Sequence, residues 1–183
     1  RRVLGPGDPL GHPPRRVLVA GFSGSGKSTL AARIAAAVDA PYVDIDSLHH
    51  GPGWAPRPEF LEDVRALASR DAWVTEFLYA DARPILQARA DLLVHLDVGF
   101  PVALNRLVKR TVRRRFRREV LWNGNVEAPL HTVLTDRNHV VRYMVRTRKK
   151  YGQLIPHAFE TNPDLVGVRL RSSAEADAWL AAL

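Results

Sequence analysis

Residues 21–29 read GFSGSGKST, directly after the apolar run Val17-Leu18-Val19-Ala20 and directly before an alanine-rich stretch ending at Val38. The spacing Gly21-x-x-x-x-Gly26-Lys27-Ser28 is that of a Walker A loop. A polyphosphate crowds its surroundings with negative charge, and a backbone with few side chains can wrap around it. The amides of Gly21, Ser23, Gly24, Ser25 and Gly26 can then point inward at phosphate oxygens. The helix that begins at the end of the loop adds the unpaired N–H groups of Lys27, Ser28 and Thr29 and the positive end of its dipole. Lys27 is placed to reach the β- and γ-phosphates of ATP, and the Ser28 hydroxyl to ligate Mg²⁺. A lone glycine-rich turn would read as a flexible joint. Strand, loop and helix in this order predict nucleotide binding.

Composition bounds the rest. With 183 residues, 46% hydrophobic and 25% charged, the chain has the make-up of a soluble globular protein with a substantial core. It contains no cysteine, which excludes disulfides and thiolate metal sites and is compatible with a reducing cytoplasm, the location expected here. No apolar stretch approaches the ~20 residues of a membrane helix, so no membrane partner is expected. The Pro/Gly-rich start, residues 1–14, reads as a disordered leader that lacks the pattern of a secretory signal. Residues 15–183 read as one domain.

The net charge of +8 is concentrated. Residues 106–150 hold 14 of the 27 Lys and Arg against three acids, Glu119, Glu127 and Asp136, a local net of +11. That segment is expected either to meet an anion or to form a solvated helical face.

Periodicity alternates between strand and helix. Apolar runs predict strands at 17–20, 42–46, 72–77, 91–97 and 165–170. Helical stripes fall between them. Residues 101–118 form one, with Leu104, Val108, Val112 and Phe116 on its apolar face, and residues 130–160 are mostly helical with Val140, Met144 and Tyr151 inward. Ser172-x-x-Glu175 is a capping box opening the last helix. The alternation predicts an α/β fold, a five-stranded parallel sheet with helices on both faces.

The chain resembles small P-loop NTPases of the nucleotide-kinase and shikimate-kinase group, and more specifically the adenylate-kinase-like DNA topology modulation proteins. The stretches that carry the resemblance are GFSGSGKSTLA, DIDSLHHGPGW, AWVTEF, ADLLVHLDVGFPVALNRLVKR and LRSSAEADAWL, within residues 16–183. It implies a basic helical lid, inserted around residues 111–136, whose arginines close on phosphates: Arg106, Arg110, Arg113 and Arg114. It implies an acceptor role for Asp46, since shikimate-type kinases carry a similar Asp-x-Asp, and backbone contacts to adenine near Arg171. One departure is Glu76-Phe77-Leu78-Tyr79, where that subgroup commonly has a glycine-containing stretch.

In a doubly wound sheet, ligands bind beyond the carboxyl ends of the strands, where the P-loop, Asp44, Asp46, Thr75, Glu76 and Asp97 all fall. Asp46, with Asp44 as the second candidate, is expected to hold or deprotonate an acceptor hydroxyl, the alternative for Asp46 being a helix or turn cap at a strand end. Asp97 stands where a Walker B acid would bind Mg²⁺, and a structural role is the alternative. His49 and His50 read as loop residues without metal-ligand spacing. Trp54 reads as an anchor of its loop or as a stacking surface. The expected activity is Mg²⁺-dependent transfer of the ATP γ-phosphate to a small hydroxyl- or phosphate-bearing acceptor. The alternatives are a nucleotide-regulated ATPase that binds nucleic acid through residues 106–150, and a toxin-like kinase. Few aromatics interleave the basic segment, so only weak nucleic-acid binding is expected.

Overall fold

Val17, Leu18, Val19 and Ala20 are all fully buried, because their strand lies between two others and is covered on both faces. The computed structural model describes residues 3–117, 119–121, 124–125, 144–145 and 149–183. In chain order its elements are β1 (Val3–Leu4), β2 (Arg16–Ala20), α1 (Lys27–Ala37), α2 (Ile45–His49), α3 (Phe60–Ser69), β3 (Trp73–Glu76), α4 (Arg83–Gln87), β4 (Leu92–Leu96), α5 (Phe100–Arg117), α6 (Tyr151–Thr161), β5 (Val166–Leu170) and α7 (Ser173–Ala181). The five strands are ordered β1-β5-β4-β2-β3, and every pairing is parallel.

Alternate residues of β2 serve two cores. Val17 and Val19 pack with Leu30 and Ile34 of α1, Ala103 and Leu107 of α5, and Trp179 of α7. Leu18 and Ala20 pack with Ile45, with Val64 and Leu67 of α3, with Leu86 of α4 and with Ala158 of α6. The chain leaves β2 for β3 on one side, and β4 takes up the other side. The strand that leads into the P-loop is therefore the point where strand order reverses, and the crevice beyond it is where such sheets bind ligands.

Asp91 ties the lower edge. Its carboxylate accepts the backbone N–H groups of Arg15 and Arg16 at 3.1–3.3 Å. At α7 the Ser172 hydroxyl accepts from Glu175 N at 3.1 Å, and the Glu175 carboxylate accepts from Arg171 N at 2.7 Å, so the capping box forms with its return bond one residue earlier.

Three expectations need correction. Part of the stretch read as a disordered leader belongs to the sheet: Val3 and Leu4 pair with Gly167 and Val168, since β5 would otherwise be an open edge. The strand expected at 42–46 is reduced to one bridge, Tyr42 to Val74. Asp44 ends the extended conformation there by accepting Asp46 N at 3.0 Å and capping α2. The buried face of α5 is also not the expected one. Ala103, Leu107 and Thr111 are buried, whereas Val108 is 42% and Phe116 80% exposed, because the P-loop packs against the first of these faces. Of the inward set expected in 130–160, Met144 is buried, Tyr151 is half-buried, and Val140 lies outside the described residues, as does most of the 111–136 insertion.

Candidate functional site

The P-loop is pressed against α5. Gly24 sits at φ +81°, and a Cβ there would lie 2.9 Å from the backbone nitrogen of Leu107, so neither its conformation nor its space admits a side chain. Gly26, at φ +99°, caps α1 in a left-handed conformation without a side-chain cap bond, and the first turn carries no acid. The N-terminal amides of α1 are thus not covered by a side chain of the cap. The Ser25 hydroxyl is buried and has no hydrogen-bond partner among the described residues. Ser28 and Thr29 are exposed on the first turn, and Ser23 is half-buried in the loop. A cradle of this kind fits a polyphosphate.

Lys27 is buried at its start. Burial lowers its pKa from 10.5; Asp46, Glu76 and Asp44 oppose that shift by attraction, and Arg110 adds to it by repulsion. The fold therefore brings Lys27, Asp46 and Arg110 into one electrostatic neighbourhood. Arg106 joins it from α5, donating to Ser25 O at 3.2 Å and to Ser173 Oγ at 3.1 Å, and so bridges the P-loop to the start of α7. Arg114, one turn beyond Arg110, pairs with Glu119 at 3.5 Å, as does Arg113 at 3.7 Å. Arg171 contributes its backbone N–H to Glu175, and its side chain is exposed.

The carboxylates divide their work. Glu76, buried at the end of β3, accepts the Tyr42 hydroxyl at 2.7 Å and the backbone N–H of Ile45 at 3.4 Å, which ties β3 to the start of α2. Asp46 accepts a short hydrogen bond from the Tyr79 hydroxyl, which also lies 3.1 Å from His50 Nε2. The His49 ring stacks on Tyr79 at 4.0 Å. Tyr79 occupies φ +56°, a left-handed backbone conformation that glycine adopts far more readily than tyrosine.

Three residues of this region escape a reading of the sequence: Tyr42, Tyr79 and Asn125. Asn125 is buried, accepts from Trp54 N at 3.1 Å and donates to Gly51 O at 2.9 Å. It pins the loop of Trp54, which is 38% exposed, to the segment after α5. The departure noted at Glu76-Phe77-Leu78-Tyr79 was a usable signal for Tyr79; a lone asparagine after a turn offers none.

Asp97 follows β4 and meets an arginine. Nε and Nη2 of Arg169 both donate to its Oδ2, the first at 2.9 Å. It lines a cavity of about 560 Å³ with Phe22, His95, Tyr151 and Arg169. Burial lowers the His95 pKa there, with Asp97 opposing and Arg169 reinforcing. No group of three or more His, Asp or Glu able to hold a metal occurs among the described residues. No described helix is long and apolar enough to cross a membrane.

No protein-family model and no curated protein matches the chain. Solved structures match it in fold. An unliganded sugar kinase from Janibacter sp. HTCC2649 is 21% identical, with a TM-score of 0.51 over 92% of this chain and 91% of its own. A shikimate kinase from Acinetobacter baumannii, in complex with shikimate, is 17% identical, with a TM-score of 0.52 over 91% and 89%. A gluconokinase from Sinorhizobium meliloti is 21% identical, with a TM-score of 0.53 over 93% and 91%. At these identities the likeness is one of fold: a five-stranded parallel sheet with helices, as in these kinases.

Proposed function

We propose that this protein is a kinase that uses ATP and Mg²⁺ to phosphorylate a small hydroxyl-bearing acceptor held beside Asp46. The observation that carries the reading is that Asp46 lies close enough to Lys27, the residue that opens α1 at the end of the glycine cradle, to act on its charge. One residue serves the phosphate side and the other serves the acceptor side. The proteins similar in fold are kinases of a sugar, of shikimate and of gluconate, which favours a hydroxyl acceptor over a phosphate.

When bound, MgATP supplies the phosphoryl group and the metal charge that offsets its negative oxygens. The chain's own residues do the positioning. The amides of Gly21, Ser23, Gly24, Ser25, Gly26 and Thr29 hold phosphate oxygens, and Lys27 neutralises them. The Ser28 hydroxyl is the metal ligand. Asp97 joins the metal's surroundings only if Arg169 yields it. Asp46 orients the acceptor hydroxyl and accepts its proton, which helps because in-line placement and charge compensation dominate the barrier. Arg106 and Arg110 add positive charge from α5, with Arg114 joining from the lid, and the backbone near Arg171 borders the adenine. We keep a single domain, now including the Val3–Leu4 strand, together with the cytoplasmic location and kinship with the adenylate-kinase-like DNA topology modulation proteins, as parts of this reading.

A second reading, nucleotide-regulated binding of nucleic acid, draws on one observation. Phe116 is 80% exposed on α5 between exposed Arg113 and Arg117, an aromatic surface beside cations.

Incubation with γ-labelled ATP, Mg²⁺ and pools of sugars, hydroxy acids, nucleosides and nucleotides tests the proposal. A labelled small product is expected. Label released only as inorganic phosphate in every pool, with turnover stimulated by DNA or RNA, would move the assignment to the second reading.

A further inference from the structure

We propose that Tyr79 and His50 are positioning residues for Asp46. They hold one of its carboxylate oxygens through a one-way chain of hydrogen bonds and leave the other for the acceptor. This rests on the reading of Asp46 as the acceptor-side carboxylate.

The direction of the chain follows from donor chemistry. An ionised carboxylate only accepts, so the Tyr79 hydroxyl gives its single proton to Asp46 Oδ1. With that proton committed, Tyr79 Oη accepts from His50 Nε2, 3.1 Å away. His50 therefore carries a proton on Nε2, and in the neutral ring Nδ1 is left as an acceptor. His49 Nδ1 lies 3.4 Å from it and is the donor. A neutral His49 suits its surroundings, since burial first and the His50 ring second lower its pKa, with Asp46 opposing. Among the described residues no hydrogen bond reaches Asp46 Oδ2.

Packing fixes the phenol that turns this chain toward Asp46. His49 stacks on Tyr79 at 4.0 Å and 11° between planes, and Phe60 meets both rings edge-on, at 4.8 Å from His49 and 5.3 Å from Tyr79. The backbone supplies an independent observation. Tyr79 at φ +56° and Trp54 at φ +63° both occupy the left-handed region, and the Trp54 ring lies 5.2 Å from that of His50. Glycine is the residue local preference places in such conformations. Two bulky aromatics hold them, Tyr79 bonded to Asp46 and Trp54 packed on the His50 ring, and strain of this kind persists where surrounding contacts over-determine it.

Two measurements test the proposal. Long-range ¹H–¹⁵N correlation spectra of the full chain report histidine tautomers, with His49 and His50 assigned from His49→Gln and His50→Gln. The expected result at neutral pH is a proton on Nε2 of His50 and on Nδ1 of His49. A His50 bearing its proton on Nδ1 alone overturns the proposal, because Tyr79 would then donate to His50 and not to Asp46. The second measurement is steady-state transfer by Tyr79→Phe, which keeps the ring and removes only the hydroxyl. Its kcat should fall about tenfold, the effect of one charge-assisted hydrogen bond, while KM for ATP stays at the wild-type value. His50→Gln, whose amide can still donate, should retain more activity than His50→Ala. Wild-type kcat in Tyr79→Phe would overturn the positioning role. The tautomer spectra need no turnover, so a failed search for an acceptor defeats the kinase reading while the hydrogen-bond chain is still judged by NMR.

Discussion

The Tyr42 hydroxyl donates to the buried Glu76 carboxylate at 2.7 Å, and this bond helps a single backbone bridge to Val74, in place of a continuous second strand, to join the 42–46 segment to the end of β3. Burial, then Glu76, raise the Tyr42 pKa above 10.0, with Ser28 opposing. The folded protein keeps the proton where the unfolded chain loses it. The stabilisation is therefore complete below pH 10 and declines as pH rises above it. Tyr42→Phe should cost about 1.5 kcal/mol at neutral pH, the value of a hydrogen bond to a charged group. It should also flatten the alkaline decline. Urea unfolding at pH 7 and at pH 10.5 checks both.

Lys27 behaves in the opposite sense. Its folded pKa lies below the unfolded 10.5, so burying the charged amine costs stability at neutral pH, and stability recovers as pH rises toward 10.5. Lys27→Met should abolish ATP turnover and raise the melting temperature. Lower melting with normal turnover would falsify both the charge argument and the phosphate role.

Asp46→Asn should reduce transfer to the acceptor far more than it weakens nucleotide binding, by about a hundredfold in kcat if Asp46 serves as the base. Calorimetric titration with a non-hydrolysable ATP analogue, alongside product formation, separates the two. Equal loss of both places Asp46 with the phosphates.

Gly24→Ala should destabilise the protein and weaken ATP binding together, since the added carbon collides with the backbone of Leu107 at a φ of +81°. A penalty of about 2 kcal/mol or more is expected from backbone strain of this kind. Thermal melts with and without nucleotide measure it. An unchanged melting curve would mean that the loop and α5 separate freely.

Arg110 and Arg117 sit two turns apart on α5 and should differ sharply. Arg110 is in the electrostatic surroundings of Lys27, whereas Arg117 is exposed. Arg110→Ala should lower turnover about tenfold or more, and Arg117→Ala little. MgATP should also slow tryptic cleavage within residues 106–150, since closure needs contacts that only bound phosphate offers. Protection by DNA alone, falling steeply with salt, would favour the nucleic-acid reading.

What the residues determined unaided is local. A phosphate cradle is built from consecutive amides, so nine residues, GFSGSGKST, suffice to announce it. The fully apolar β2 and the Ser172–Glu175 cap are likewise written within a few positions of themselves. Tertiary structure decided the rest, because the partners are distant in the chain. Asp46 meets Tyr79 across 33 residues, Tyr42 meets Glu76 across 34, Trp54 meets Asn125 across 71, and Arg106 meets Ser25 across 81. Parallel βαβ crossovers bring such residues together at one end of a sheet, and no short-range pattern encodes which will meet. The face of α5 was decided in the same way. Its apolar spacing pointed to Leu104, Val108, Val112 and Phe116, but the face pressed on Gly24 of the P-loop is that of Ala103 and Leu107, with Leu104 half-buried beside it and Val108 and Phe116 exposed. Val3 and Leu4 became a strand for a reason no leader sequence carries: β5 had an edge to cover.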